Sequence, residues 1–232
     1  MKIVVINGTA VKGCTYQIKE CFLSFLRPRN TITEFYLPKD LPHFCEGCKN
    51  CFFRDEKLCP HVQYVAPIWN AMAEADLIVF AAPVYALRTT AQVKSLLDHL
   101  CCHWMVHRPE PAMFTKRAVI LTNSVGAPNT AAQRDIATSL TWLGVSHIRG
   151  LGFGLMEGVI WEEISEKRRL KIQKKAMRLA RKYPEKKPAR MSLIVHFYFT
   201  FCKITHNIVL KKEAVPSADN QYWIDKGWIR SR

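Results

Sequence analysis

Four cysteines stand close together as Cys45-x2-Cys48-x2-Cys51-x7-Cys59. Spacing of two between three thiolates lets them converge on one metal centre, and a fourth from a flexible loop can complete ligation of a [4Fe-4S] cluster or of zinc. Free or redox-active thiols are the remaining reading. A second group, Cys101-Cys102-His103 with His107, sets two imidazoles one helical turn apart. No carboxylate partner accompanies it, so it reads as a helix end with buried thiols. Gly8-Thr9-Ala10-Val11-Lys12-Gly13-Cys14-Thr15 points to another chemistry. Its glycines free backbone N–H groups to converge, Thr9 and Thr15 add hydroxyl donors, Lys12 adds a cation, and the segment opens a helix, as a phosphate site requires. A plain strand-to-helix turn also favours Gly and Thr, and no Gly-Lys-Ser/Thr closes the loop as in a Walker A motif. Ala82-Pro83-Val84-Tyr85-Ala86-Leu87 offers a rigid proline, backbone groups and an aromatic ring. Thr122-Asn123-Ser124-Val125-Gly126 is small and polar. Flat apolar contact with backbone hydrogen bonds at one edge suits a flavin ring, although Tyr85 would serve equally in a core.

These segments need elements to hold them. Lys2 to Asn7 is a β-branched run expected of a strand buried on both faces, and Asp76 to Ala82 is the clearest such run. Thr31 to Leu37, Arg117 to Thr122 and Val145 to Phe153 supply three more strands. Helices are expected at Thr15 to Leu26, Val62 to Ala75, Ala91 to Cys102, Asn129 to Leu143 and Glu162 to Tyr183. Strands alternating with helices predict an open, doubly wound parallel sheet of five strands in the flavodoxin order 2-1-3-4-5. Ligands of such sheets bind beyond the carboxyl ends of strands where the order reverses. The three loops fall after strands one, three and four, and their joint placement favours flavin mononucleotide (FMN). Residues 1–183 form the expected FMN-binding domain, with 38–60 as a cysteine-rich loop and 184–232 as an extension for docking or dimerisation.

Gly8-Thr9-Ala10 through Gly13-Cys14-Thr15 resembles the Gly-Ser-Pro-Arg...Gly-Asn-Thr phosphate loop of flavodoxin-like NAD(P)H-dependent FMN reductases, with Ala10 and Cys14 replacing Pro and Asn. Ala75-Asp76-Leu77-Ile78-Val79-Phe80 to Pro83-Val84-Tyr85, then Ala91, Lys94 and Asp98, is similar to a further block of that family. His99 stands where that family often has Arg. The resemblance implies that Thr9, Lys12, Gly13, Cys14 and Thr15 hold phosphate, while Pro83, Val84, Tyr85, Ala86 and Asn123, Ser124 through Gly126 hold the ring. The cysteine spacing resembles that of iron-sulfur flavoproteins, in which a cluster sits near the flavin of a neighbouring subunit.

The chain has 232 residues, 49% hydrophobic and 23% charged, which suits one α/β core with an extension. Its nine cysteines are odd in number and clustered, so a reducing cytoplasm is expected. The apolar run Ile3 to Ile6 is too short for a signal sequence. Much of the net charge of +15 lies between Arg168 and Arg190, where it reads as a solvated face. No nucleic-acid motif accompanies it. Met191 to Leu210 is apolar but interrupted by His196, Lys203 and His206, too broken to span a bilayer. Ile194, Phe197, Phe201, Ile204 and Ile208 share a helical face expected to dock on the core or a second subunit, with contact to a membrane surface as the alternative. The aromatic end, Tyr222 to Trp228, is expected to close over a partner subunit or the flavin pocket. The functional expectation is an FMN-dependent oxidoreductase passing electrons from NAD(P)H to a small-molecule acceptor, a redox protein or a cluster, as a homodimer. Two alternatives are an iron-sulfur flavoprotein electron carrier with a [4Fe-4S] cluster and a zinc-stabilised, membrane-associated binding module without flavin.

Overall fold

Five strands, β1 (Lys2–Asn7), β2 (Thr31–Tyr36), β3 (Leu77–Pro83), β4 (Arg117–Ser124) and β5 (His147–Gly154), pair in parallel in the order β2-β1-β3-β4-β5. The computed structural model describes residues 1–156 and 160–231. β1 and β3 are central and almost wholly apolar, so they can be buried on both faces. β2 and β5 form the edges and remain partly exposed.

Alternation along the strands sends side chains to two cores. Val4, Ile6, Ile78, Phe80 and Ile120 meet helices α3 (Val62–Glu74), α4 (Ala91–His99) and α5 (Thr130–Trp142) on one face. Ile3, Val5, Val79, Val119 and Leu121 meet α1 (Cys14–Leu26) and α6 (Glu166–Ala180) on the other. This is the expected doubly wound architecture. The cysteine-rich loop contains a single helical turn, α2 (Asn50–Phe53), and a 3-10 turn at Glu56–Leu58 whose Asp55 carboxylate accepts from the Lys57 N–H.

Two helices are shorter than the sequence predicts. The helix from Ala91 tightens after His99 into a 3-10 turn, Leu100–His103. The segment from Glu162 is broken because Ile164 is extended and buried in the core, so α6 starts only at Glu166.

The extension carries α7 (Leu193–Leu210) and α8 (Ala218–Asp225) and builds a third apolar cluster with Met105 and Phe114. The face expected to dock does not pack on this chain's own core. Ile194, Phe197, Phe201, Ile204 and Ile208 are 49% to 62% exposed, whereas Val195, Cys202, His206 and Leu210 are buried on the opposite side. Trp223 decides the choice. It stacks on both Phe199 and His206, and the His206 Nδ1 meets Asn220 Oδ1 at 2.7 Å. The buried face can therefore include a polar residue because its partner is supplied. α7 is continuous through the polar interruptions and is, among the described residues, long and apolar enough to cross a membrane by length and composition.

The aromatic tail also lies elsewhere than expected. It packs on its own chain, with Trp223 Nε1 donating to the His107 carbonyl at 2.6 Å and the Tyr222 hydroxyl donating to the Pro109 carbonyl at 2.7 Å.

Candidate functional site

The loops after β1, β3 and β4 meet at the point where strand order reverses, and each is tied to another. Gly8 donates to the Ala81 carbonyl at 2.8 Å, so the first loop lies directly on the end of β3. A Cβ on Gly8 would come within 2.8 Å of both Ala82 Cβ and Val93 Cγ2, which requires glycine there. The Thr90 hydroxyl donates to the Gly8 carbonyl at 3.0 Å and accepts from the Val93 N–H, capping α4 against the loop. Val84 N–H donates to the Asn123 carbonyl at 2.8 Å, joining the second loop to the third. The Thr15 hydroxyl donates to Asn123 Oδ1, joining the first to the third.

Between them lies a cleft. Thr9, Gly13, Cys14 and Thr15 line it from one side, Pro83, Val84 and Tyr85 from a second, and Asn123 and Ser124 from a third. Three residues expected there are not on its wall. Lys12 places its ammonium 5.6 Å from the Tyr16 ring centre, Ala86 sits at a turn tip with φ 47°, and Gly126, with φ 82°, lies against the Met156 side chain. Val125, within the expected third loop, lines the cleft, and so does Val11, which sequence alone does not single out; they are 64% and 70% exposed. The only sequence signal of Val11 is a branched apolar side chain inside an otherwise polar turn.

The cleft suits an anion at one end. α1 starts after its N-cap Gly13 without a side-chain cap and without an acidic residue in its first turn, so its positive end faces the loop. Burial, reinforced by Glu162, pushes the Cys14 thiol up, so this residue brings no negative charge. At the other end the chain is strained. Ala86 and Leu87 both have positive φ, in a two-residue turn closed by reciprocal Tyr85 and Arg88 backbone bonds of 3.1 and 2.9 Å. The Arg88 Nε to Asp135 bond of 3.0 Å holds that turn to α5.

A second cavity is lined by Cys45, Cys48, Cys51 and Cys59 over an apolar floor that includes Val65 and Trp69. Gly47 and Lys49, at φ 66° and 64°, wind the chain between the first three cysteines. Burial pushes the Cys59 thiol up, against a backbone hydrogen bond at His61 that lowers it. A hydrogen bond from the Cys102 thiol brings Cys51 down to about 6 against its burial, with Arg108 assisting. Cys102, expected only as a buried thiol, thus belongs to this cavity. Arg108 is itself buried, donates to the Cys51 carbonyl, and lies 3.6 Å from Glu56 and 3.5 Å from Asp219 of α8. His103 is stacked on Trp69, and burial lowers its pKa to about 3, so it is neutral. His107 pairs with Asp219 at 2.7 Å, outside the thiol group. The donor set of clustered soft thiols, one of them ionised near neutrality, fits a thiolate-bound metal centre.

A cleft cross-tied by three loops at the switch point of a five-stranded parallel sheet defines a flavodoxin-like, nucleotide-binding class of protein. The family described as NADPH-dependent FMN reductase matches residues 1–158. An iron-sulfur flavoprotein of Archaeoglobus fulgidus is 25% identical over 187 residues, 81% of this chain and 80% of the relative. One from Clostridioides difficile is 27% identical over 223 residues, 96% of this chain and 92% of the relative. An azoreductase from Bacillus anthracis shares the fold with a TM-score of 0.64 at 18% identity, over 79% of this chain and 100% of that one. The chain belongs to the NADPH-dependent FMN reductase family and is an NAD(P)H-dependent flavin oxidoreductase whose cofactor is FMN.

Proposed function

We propose that this protein oxidises NAD(P)H at a flavin held in the three-loop cleft and delivers the electrons to a small acceptor or redox protein, with a [4Fe-4S] cluster held by Cys45, Cys48, Cys51 and Cys59. When bound, FMN supplies a two-electron acceptor for hydride and the cluster supplies one-electron capacity. The chain's own residues bind and orient. Thr9, Thr15 and the N–H groups around Gly13 and Cys14 would hold the phosphate, with Lys12 as a nearby cation. Pro83, Val84 and Tyr85 would contribute apolar cover and backbone hydrogen bonds to the ring, and Asn123 and Ser124 would close its other side, with Ala86 and Gly126 shaping the turns behind them. No side chain is assigned as acid or base.

The observation that carries this reading is the tying of the first and second loops to Asn123, which presets the cleft before any ligand enters. The names of the two relatives support the cluster. The test is the visible absorption of anaerobically purified protein, with iron and sulfide assays and NADH and NADPH oxidation. Flavin bands over a broad cluster absorbance, with turnover, are expected; a colourless protein would overturn the reading. Flavin and cluster without turnover would leave an electron carrier fed by another redox protein.

Three further features belong to this reading. Val11, Tyr85 and Val125 line the cleft and are exposed, an apolar edge that we assign to a homodimer contact. The exposed face of α7, with Arg190 before it and Lys211 and Lys212 after it, suits an anionic membrane surface. The odd number and clustering of the nine cysteines suit a cytoplasmic setting.

A further inference from the structure

The thiol cavity contains a second set of ligands that differs in geometry from the four cysteines. Cys59, His61 and His99 bring one sulfur and two imidazole nitrogens within 4.8 Å of one another. Both histidines are buried, and Cys59 is half-buried. The rings face each other through nitrogen, with His61 Nδ1 and His99 Nε2 3.0 Å apart.

The surrounding bonds fix what these nitrogens can do. His99 Nδ1 lies 2.8 Å from the Ser95 carbonyl, which can only accept. The proton of the neutral ring therefore sits on Nδ1, and Nε2 presents a lone pair to His61. Glu46 Oε1 lies 3.5 Å from His61 Nε2. A proton on that nitrogen would face a carboxylate and leave Nδ1 as a second lone pair. Two lone pairs then point at one spot beside a thiol, each imidazole backed by an outer acceptor of the kind that orients metal-bound histidines.

We propose that Cys59 Sγ, His61 Nδ1 and His99 Nε2 form a binding site for a single borderline-soft divalent cation of the Zn2+ type. Two nitrogens bound tetrahedrally at about 2.0–2.1 Å would be about 3.3 Å apart, close to the spacing already present. Closing the site needs a rotation of the Cys59 thiol and loss of its proton, while the His61 proton moves to the nitrogen facing Glu46. Three protein ligands leave the fourth position to water or another small donor. Cys45 and Cys48 are exposed and stand outside this group. Because Cys59 also belongs to the four-cysteine set, it can serve one centre at a time, so the ion is the occupant of the cluster-free chain.

The experiment uses full-length, FMN-loaded protein freed of iron by chelation under anaerobic conditions. Zn2+ is titrated by competition with a chromophoric chelator, and the zinc-loaded protein is examined by X-ray absorption. One equivalent of zinc is expected, with one sulfur and two imidazole nitrogens in its first shell. His99→Ala and His61→Ala are each expected to weaken binding at least about tenfold, whereas Cys45→Ser with Cys48→Ser leaves it unchanged. The proposal is overturned by absence of stoichiometric binding, by a four-sulfur shell, or by histidine variants that bind as tightly as the parent. If a histidine variant fails to retain FMN, the ligand shell of the parent protein decides alone.

Discussion

Thr15 donates its hydroxyl to Asn123 at the wall of the cleft, so its removal would untie two loops as well as delete a candidate phosphate donor. Thr15→Ala is expected to weaken FMN binding about tenfold, the worth of one hydrogen bond to a charged group, and fluorescence titration reads this directly. Unchanged affinity would remove Thr15 from the site. Beneath the loop, the fully buried Lys19 reaches Glu34 at 2.5 Å and Glu20 at 2.9 Å, while Asn7 donates to Glu34 at 3.2 Å. Burial pushes Glu34 up, but the bonds from Lys19, Asn7 and Tyr36 outweigh it and hold the carboxyl below its ordinary range. A depressed folded pKa contributes stability above the unfolded value, about 4.3, that is lost as pH falls through the depressed value. Glu34→Gln is therefore expected to cost about 1–3 kcal/mol in urea unfolding at pH 7 and less at an acidic pH below the depressed value, where the parent has lost that contribution. An equal cost at both pH values would break the assignment. Individual side chains were unevenly legible. Thr9, Gly13 and Tyr85 could be placed at the cleft because loop position after a strand fixes them. Lys12 could not, since a long flexible amine can turn to any neighbour, and here that neighbour is Tyr16.

The elements were the most legible part of the chain, because β-branched runs bounded by Gly and Pro admit few alternatives at β1 and β3. Boundaries failed where a buried side chain, not a local signal, ends the helix, as Ile164 does before α6. α7 shows a different limit. Both of its sides are apolar, and periodicity cannot say which one Trp223 will cover. Gly8→Ala belongs at this scale, since its methyl group would strike β3 and α4 together. Overpacking of that kind costs about 1–3 kcal/mol, so a lower thermal midpoint and weaker FMN retention are expected. A midpoint equal to the parent's would show that the first loop can lift off β3.

For the whole molecule, charge and the exposed apolar face of α7 act together. The chain carries +15, and an anionic bilayer would attract it and hold the exposed face of α7 at its surface. Sedimentation is expected with vesicles containing anionic lipid but not with neutral vesicles, and to fall when salt is raised. Phe197→Ser with Phe201→Ser should abolish it; sedimentation unaffected by that change would exclude this face. The tail's packing on its own chain was not legible, because its partners between His107 and Phe114 lie about a hundred residues away in sequence. One consequence concerns neutrality. Arg108 is a buried cation whose counter-charges come from two distant segments, Glu56 in the cysteine loop and Asp219 in the last helix. A chain that ends before Asp219 would leave Arg108 with Glu56 as its one remaining carboxylate among these partners, and more of its charge would fall to the thiols around Cys51. The final helix thereby sets how much negative charge the thiol cavity must carry.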